Sequence, residues 1–238
     1  MLKVDLHTHT ADDPEDRIPY TTFDLIDRAA GLGFDALAVT LHDRQLDPGP
    51  FQAHAQARGI VLIRGIERTI EGRHVLLLNF SGASETVGSF AELRVLKQQE
   101  RGLVIAPHPF FPAPSALRDY MNRHADLFDA VECNAMFTDL VNFNVFGERW
   151  ATANRKPMVG NGDVHRLEQL GTTYTLVEAE PTADSICSAI AAGRVHVIAQ
   201  PISTLAAARL MIDLYANVLL PQRAADAVGA LLRPLTSE

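Results

Sequence analysis

Short apolar runs of strand length alternate with longer amphipathic stretches through the first 200 residues. This rhythm limits the architectures open to the chain more than any other feature. Strand-like runs occupy 3–6, 36–40, 60–64, 74–79, 103–106, 130–132, 158–160 and 173–177. Helix-like stretches fill the gaps at 22–32, 49–58, 89–100, 113–124, 142–154 and 182–192. Thr22 or Asp24 is placed to cap the first helix, and Gly31 and Gly33 to end it. Alternation of this kind predicts an α/β fold with a mainly parallel sheet and helices outside it. A closed barrel is favoured over an open sheet because polar residues suited to chemistry recur at the ends of nearly every strand. Near residue 200 the character changes. Segments 203–219 and 222–232 read as two further helices, with Pro201 and Pro221 at their joints. The expected organisation is a barrel over 1–200 and a helical tail over 201–238, the tail packed on the barrel or on a second subunit.

The strand ends carry the chemistry. In a regular strand alternate residues face one way, so Asp5, His7 and His9 are expected to share a face. Two imidazoles so placed can grip one cation, and Asp5 is placed to orient one of them. Asp12 and Asp13 follow in an acidic turn, and His42 ends the second strand in AVTLHD. Glu67 follows Gly65, read as permitting a sharp exit from the third strand, and His74 opens the next. Pro107 and Pro109 restrict the backbone on both sides of His108, which suits a ligand that must stay in place. Asp163 and His165 lie in the glycine-flanked run GNGDVH. Six of the nine histidines thus sit at strand ends, too many to be incidental. His54, His124 and His196 lie elsewhere and are expected to be structural or surface residues.

Composition narrows the partners. The formal net charge is -8, which argues against a basic face for duplex nucleic acid but not against a small anionic substrate. No apolar run approaches the roughly 18 residues needed to span a bilayer, so no membrane association is expected. The N-terminus turns polar after six residues, and a cytoplasmic location is the simplest expectation. Cys133 and Cys187 form no CxxC and are expected to be buried, reduced thiols.

Taken in order, DLHTHT, AVTLHD, GIE, APHPF and GNGDVH resemble the five motifs of the PHP (polymerase and histidinol phosphatase) superfamily, and the likeness runs from Val4 to about Val197. The resemblance implies a distorted (β/α)7 barrel holding two to three divalent metal ions, Mn, Fe or Zn, at its C-terminal mouth. One metal would take His7, His9, Glu67 and Asp163. A second would share Glu67 and add His74 and His108. A third would take Asp13, or its neighbour Asp12, with His42 and His165. The family usually has aspartate where this chain has Leu41, and Asp43 is the nearest substitute.

The expected reaction is hydrolysis of a phosphomonoester by a metal-activated hydroxide, with Glu67 and His165 as catalytic residues. Arg17, Arg44 and Arg68 are candidate phosphate clamps, and Asn134 a candidate substrate contact. The partner is expected to be a small phosphorylated substrate; the resemblance points towards a nucleotide or short oligonucleotide without singling out a substrate. The alternatives are a histidinol-phosphate phosphatase, an amide hydrolase and a non-catalytic metal-binding module. Oligomeric state stays open.

Overall fold

A computed structural model describes residues 1–219, and the second expected tail helix at 222–232 lies outside them. The chain runs β1 (Leu2–Thr8), α1 (Thr22–Gly31), β2 (Ala36–Val39), α2 (Gly49–Ala57), β3 (Val61–Ile70), β4 (Arg73–Leu78), α3 (Phe90–Gln99) and β5 (Leu103–Ala106). It continues α4 (Tyr120–Arg123), β6 (Ala130–Asn134), α5 (Asn144–Asn154), β7 (Met158–Asn161), β8 (Thr173–Val177), α6 (Ala183–Ala191), β9 (Val195–Ala199) and α7 (Thr204–Leu219). The described strands form one sheet, ordered β7-β6-β5-β4-β3-β2-β1-β8-β9. Beyond β7 the chain returns to β1 through a parallel bridge between Thr8 and Val164, so the sheet curls into a nearly closed barrel. The β8–β9 hairpin continues the sheet beyond β1.

Strands β1–β3 run parallel, as do β5–β7, but β4 is antiparallel to both its neighbours. The expected mainly parallel sheet is corrected at this strand. The cause is local: β3 runs on to Ile70 and reverses through Glu71 and Gly72, both at positive φ, a tight hairpin turn. Gly65 is therefore no exit residue. It lies within β3, where a Cβ would come within 2.8 Å of Thr40 and 2.9 Å of Leu78.

The helix expected over 113–124 shrinks to α4, because Arg118 adopts a left-handed conformation that interrupts it. The first helix is capped by Thr21 rather than Thr22 or Asp24; Thr21 and Asp24 form a reciprocal capping box. Strand β9, with His196 exposed on it, follows the turn at Gly193 and was not expected.

Three apolar cores hold these elements. One takes residues from every strand from β1 to β7, including Val4, Ala36, Ile63, Leu76, Ile105, Ala130 and Val159, together with Ile186, Cys187, Ala189 and Ile190 of α6. That membership defines the barrel interior, with α6 closing its lower end. The other two lie under α1 and α2, and under α3 to α5. Cys133 and Cys187 are free thiols, and burial pushes both up to about 12. Among the described residues no helix is long and apolar enough to cross a membrane.

Candidate metal centre

The C-terminal end of the barrel is lined by buried polar groups instead of apolar ones, and the backbone irregularities that put them there are specific. In β1 the register against β2 slips by one residue between Asp5 and Thr8. A slip of one reverses which residues face inward. Asp5 pairs with Leu37 and Thr8 with Val39, both of which belong to the outer core under α1. His7 and His9 therefore face the interior while Asp5 faces away. The expectation that all three share a face is corrected. The Asp5 carboxylate accepts from the backbone N–H of His7 and Gly162 and orients no imidazole. Burial raises its pKa to about 7, against those backbone hydrogen bonds. A Cβ on Gly162 would lie 2.7 Å from that carboxylate, so glycine is required there.

Glu67, 1% exposed, stands at the centre. Its Oε2 lies 3.2 Å from His7 Nε2, 3.4 Å from His9 Nε2 and 3.3 Å from His42 Nε2. Its Oε1 lies 2.7 Å from His74 Nδ1 and 3.1 Å from His108 Nε2. The antiparallel β3–β4 ladder explains His74: it pairs with Thr69, two residues from Glu67 and so on the same face. Asp163 Oδ1 approaches His7 Nε2 at 3.3 Å and His9 Nε2 at 3.5 Å. Two of these residues, His108 at φ 27° and Asp163 at φ 48°, hold backbone conformations that side chains rarely adopt, the kind of strain that gathers at functional sites.

A ring of acceptors fixes the imidazoles. Glu132, fully buried, accepts from His7 Nδ1 at 2.8 Å, from the His108 backbone N–H at 2.7 Å and from Asn161 Nδ2 at 3.0 Å. A carboxylate only accepts, so His7 carries its proton on Nδ1 and turns Nε2 to the cluster. Asp13 does the same for His9 Nδ1 at 2.9 Å and His42 Nδ1 at 3.1 Å. Asp12 instead takes the hydroxyls of Thr10 and Thr22, which separates the two neighbouring carboxylates.

His165 donates from Nδ1 to the Asp163 carbonyl at 2.9 Å and from Nε2 to Asp16 at 2.9 Å. With acceptors on both nitrogens it is an imidazolium. Asp13, His42 and His165 do not come together as a trio: Asp13 and His42 gather with His9, and His165 with His9 and Asp163.

Electrostatics follow from this crowding. Burial works against every charge here, yet the opposite charges win. His74, His7 and His42 hold Glu67 well below the usual carboxylate range, and His7, His9 and His165 do the same for Asp163. Asp163, Glu132 and Glu67 lift His7 well above its ordinary value, while Glu67, Asp13 and Asp16 lift His42 to about 10. A set of buried imidazoles and carboxylates converging on one point fits divalent cations of the Mn, Fe or Zn kind. One buried atom argues the same way: His9 Nε2 points into the cluster with no hydrogen-bond partner.

The other candidates are placed differently. Arg68 is committed to Asp43 at 2.7 Å and to the Val87 carbonyl. Asp43 thereby also serves the Thr69 N–H and does not stand in for an aspartate at position 41; Leu41 itself is fully buried in the outer core. Arg44 donates to the Asp12 carbonyl, and Arg17 is exposed. Asn134, 1% exposed, donates to Glu132 and to Asp163 Oδ2 at 3.0 Å, so it braces the cluster from behind. His54 pairs with Asp27, and His124 stacks on Phe90, 4.1 Å between ring centroids.

Glu132, Asn161 and Asp16 escaped the sequence reading. A carboxylate inside the apolar strand AVECN was a usable signal for Glu132. Asp16, within the acidic turn ADDPEDR, offered none.

Comparison with known proteins agrees with this geometry. A family model described as PHP-associated matches residues 142–195. No curated protein matches the chain by sequence. Among solved structures, a two-domain protein from Bacteroides vulgatus containing a predicted PHP-like metal-dependent phosphoesterase superposes with a TM-score of 0.64 at 18% identity, covering 90% of this chain and 69% of that one. PsfC from Pseudomonas syringae superposes at 0.64 with 17% identity, covering 97% and 98%. The lesion-specific endonuclease EndoQ from Pyrococcus furiosus superposes at 0.55 with 17% identity, covering 82% and 57%.

An Endonuclease Q complex with a 27-mer duplex carrying an abasic lesion at the active site superposes at 0.50 with 16% identity, covering 79% and 56%. That complex overturns the expectation that excludes duplex nucleic acid: a barrel of this fold works on a duplex, and net charge says little about the local field of a metal site. The matched C-terminal segment and the shared barrel agree with the resemblance to the PHP superfamily that the motifs carry.

Proposed function

We propose that the chain is a metal-dependent phosphoesterase acting on a phosphomonoester. The observation that carries this reading is Glu67, whose two oxygens divide five imidazoles into adjoining sets. His7, His9, Glu67 and Asp163 would hold one cation, and Glu67, His74 and His108 a second. A third position beside Asp13 and His42 would lack His165 for as long as that residue keeps its Nε2 proton. Cations so held neutralise the nonbridging oxygens of a phosphate and make a water molecule acidic enough to attack at neutral pH.

The chain's own groups do the rest. Glu132 and Asp13 hold His7 and His9 in one tautomer, and Asn134 and Asn161 keep Glu132 and Asp163 from turning away. The attacking water forms a bond from its oxygen to phosphorus, and the ester P–O bond breaks. The leaving oxygen takes the electron pair and the proton that His165 carries on Nε2, and the water gives up a proton that restores His165. Asp16 steadies the imidazolium until that transfer. The barrel over 1–200 is the proposed catalytic unit, the segment from 201 onwards, which opens with α7, an accessory to it, and the cytoplasm the proposed compartment.

Elemental analysis of the purified protein, followed by phosphate release from a panel of nucleotides, sugar phosphates and a duplex oligonucleotide, tests the reading. Two to three equivalents of transition metal with chelator-sensitive release are expected, and the double variant His7→Ala/His9→Ala should lose both. Full activity in that double variant would overturn the mechanism.

A further inference from the structure

The mouth of the barrel is not uniform. On the side of β1 and β2 its rim is polar and charged, with Asp16 bonded to His165 and Arg44 to the Asp12 carbonyl. On the side of β5 and β6 it is aromatic. The strained turn at His108 lets the Phe111 N–H donate to the His108 carbonyl at 3.1 Å, which folds the Phe111 ring back to 6.2 Å from the His108 ring. Phe143 continues the wall at 5.6 Å from Phe111. Its neighbour Asn144 pins it there, exchanging two 2.9 Å hydrogen bonds with the backbone of Asn134, the residue that braces Asp163.

Both phenylalanines are half-buried, and neither belongs to any of the three apolar cores formed by the described residues. The loop that carries Phe143 also leaves Leu140 83% and Val141 53% exposed. Apolar side chains held against water beside a phosphate site lower their free energy when a ligand covers them.

We propose that Phe111 and Phe143 form a stacking shelf that receives a planar ring carried by the phosphate ester, and that this shelf sets substrate preference. The inference rests on the phosphoesterase reading above. A phosphate drawn into the cluster leaves its ester oxygen pointing out of the mouth, and the ring beyond it then meets the aromatic rim while the polar rim faces the rest. A sugar phosphate without a planar aromatic ring offers the shelf nothing to stack on it.

The test compares adenosine 5′-monophosphate with ribose 5-phosphate on the metal-loaded protein. The two have the same kind of leaving oxygen, so a difference reports the ring and not the chemistry. Stacking of a base on an aromatic side chain is worth enough to give a preference of about ten-fold or more in kcat/KM. That preference should fall by a similar factor in Phe111→Leu and Phe143→Leu, which keep apolar bulk without a ring, chiefly through KM, and should survive in Phe111→Tyr. Equal kcat/KM for the two esters in the wild type would overturn the shelf and leave the phosphoesterase intact. So would a preference unchanged in both leucine variants. Release of phosphate from neither ester, nor from any other member of the panel, would overturn the phosphoesterase reading and the shelf with it.

Discussion

The two ends of this barrel are built on the same strands and by opposite rules. At the lower end, Val4, Ala36, Leu103 and Ala130 pack against Ile186 and Ile190 of α6, and burial is apolar and fully satisfied. At the mouth, a few residues further along those strands, six imidazoles and several carboxylates gather out of or partly out of water, and each imidazole faces a carboxylate. Basic residues at the lower end do not make a second centre. Arg155, Lys156 and His196 border a hollow of about 420 Å³ there, with no carboxylate among its lining residues. Arg155 caps α5 and Ala192 caps α6, so the hollow lies beside the carbonyl ends of two helices, where positive side chains such as Arg155 and Lys156 are favoured. One end thus contributes stability without specificity for a ligand, and the other trades stability for a place to hold cations.

Substitutions should separate the two ends. The largest effect is expected from Glu67→Gln, which removes the charge that both imidazole sets share. Loss of metal affinity should exceed the roughly 10–100-fold seen when an outer partner of a metal ligand is removed, and phosphate release should fall with it, while the fold survives. Metal titration of the stripped variant, with circular dichroism alongside, checks both halves. Next comes Ile190→Ala at the lower end. Ile190 is fully buried in the interior core, and its truncation should cost about 2–5 kcal/mol of stability with metal affinity unchanged. Coupled losses in either variant would mean that the ends are not independent. Glu132→Gln is milder: it keeps the shape and an acceptor but loses the charge that holds the His7 proton on Nδ1. A drop of about 10–100-fold in metal affinity is expected, and an unchanged affinity would demote Glu132 to a structural role.

Legibility in the sequence follows the same divide. Strands and helices of the lower end and the outer layers were readable because periodic apolar residues specify them, and most strands begin within a residue of the expected place. The antiparallel course of β4 was not. It depends on a two-residue turn at Glu71 and Gly72, and periodicity says nothing about strand direction. At the mouth, the histidines stood out by their position at strand ends. What could not be read was how they meet. A one-residue slip in β1 turns Asp5 away from His7, and Glu132 reaches His7 across 125 residues of chain. Asp16 was hidden among four other carboxylates between Asp12 and Asp24, and only the folded turn selects it as the partner of His165.

The smallest expected effect is also the one that opposes the two forms of the mouth directly. In metal-stripped protein, His42 titrates near 10, above its ordinary value, because Glu67, Asp13 and Asp16 outweigh the cost of burial. A group raised in this way stabilises the fold fully below its unfolded pKa of roughly 6.5, and the contribution disappears as pH rises towards 10. Asp5, raised to about 7 by burial, acts in the same direction between roughly pH 4 and 7. Glu67 and Asp163 are depressed, so their contribution is present above the ordinary carboxylate range and is lost only as pH falls through and below it. Stripped protein should therefore lose thermal stability steadily from about pH 6.5 to 9. Cations compete with the same protons for imidazole nitrogen, so metal-loaded protein should hold its Tm or gain over that interval. Scanning calorimetry of both forms at half-unit pH steps would show the gap widening with pH. Parallel curves would mean that the imidazoles carry no extra protons in the stripped state, and that the buried charges of the mouth are balanced by something other than His42 and its neighbours.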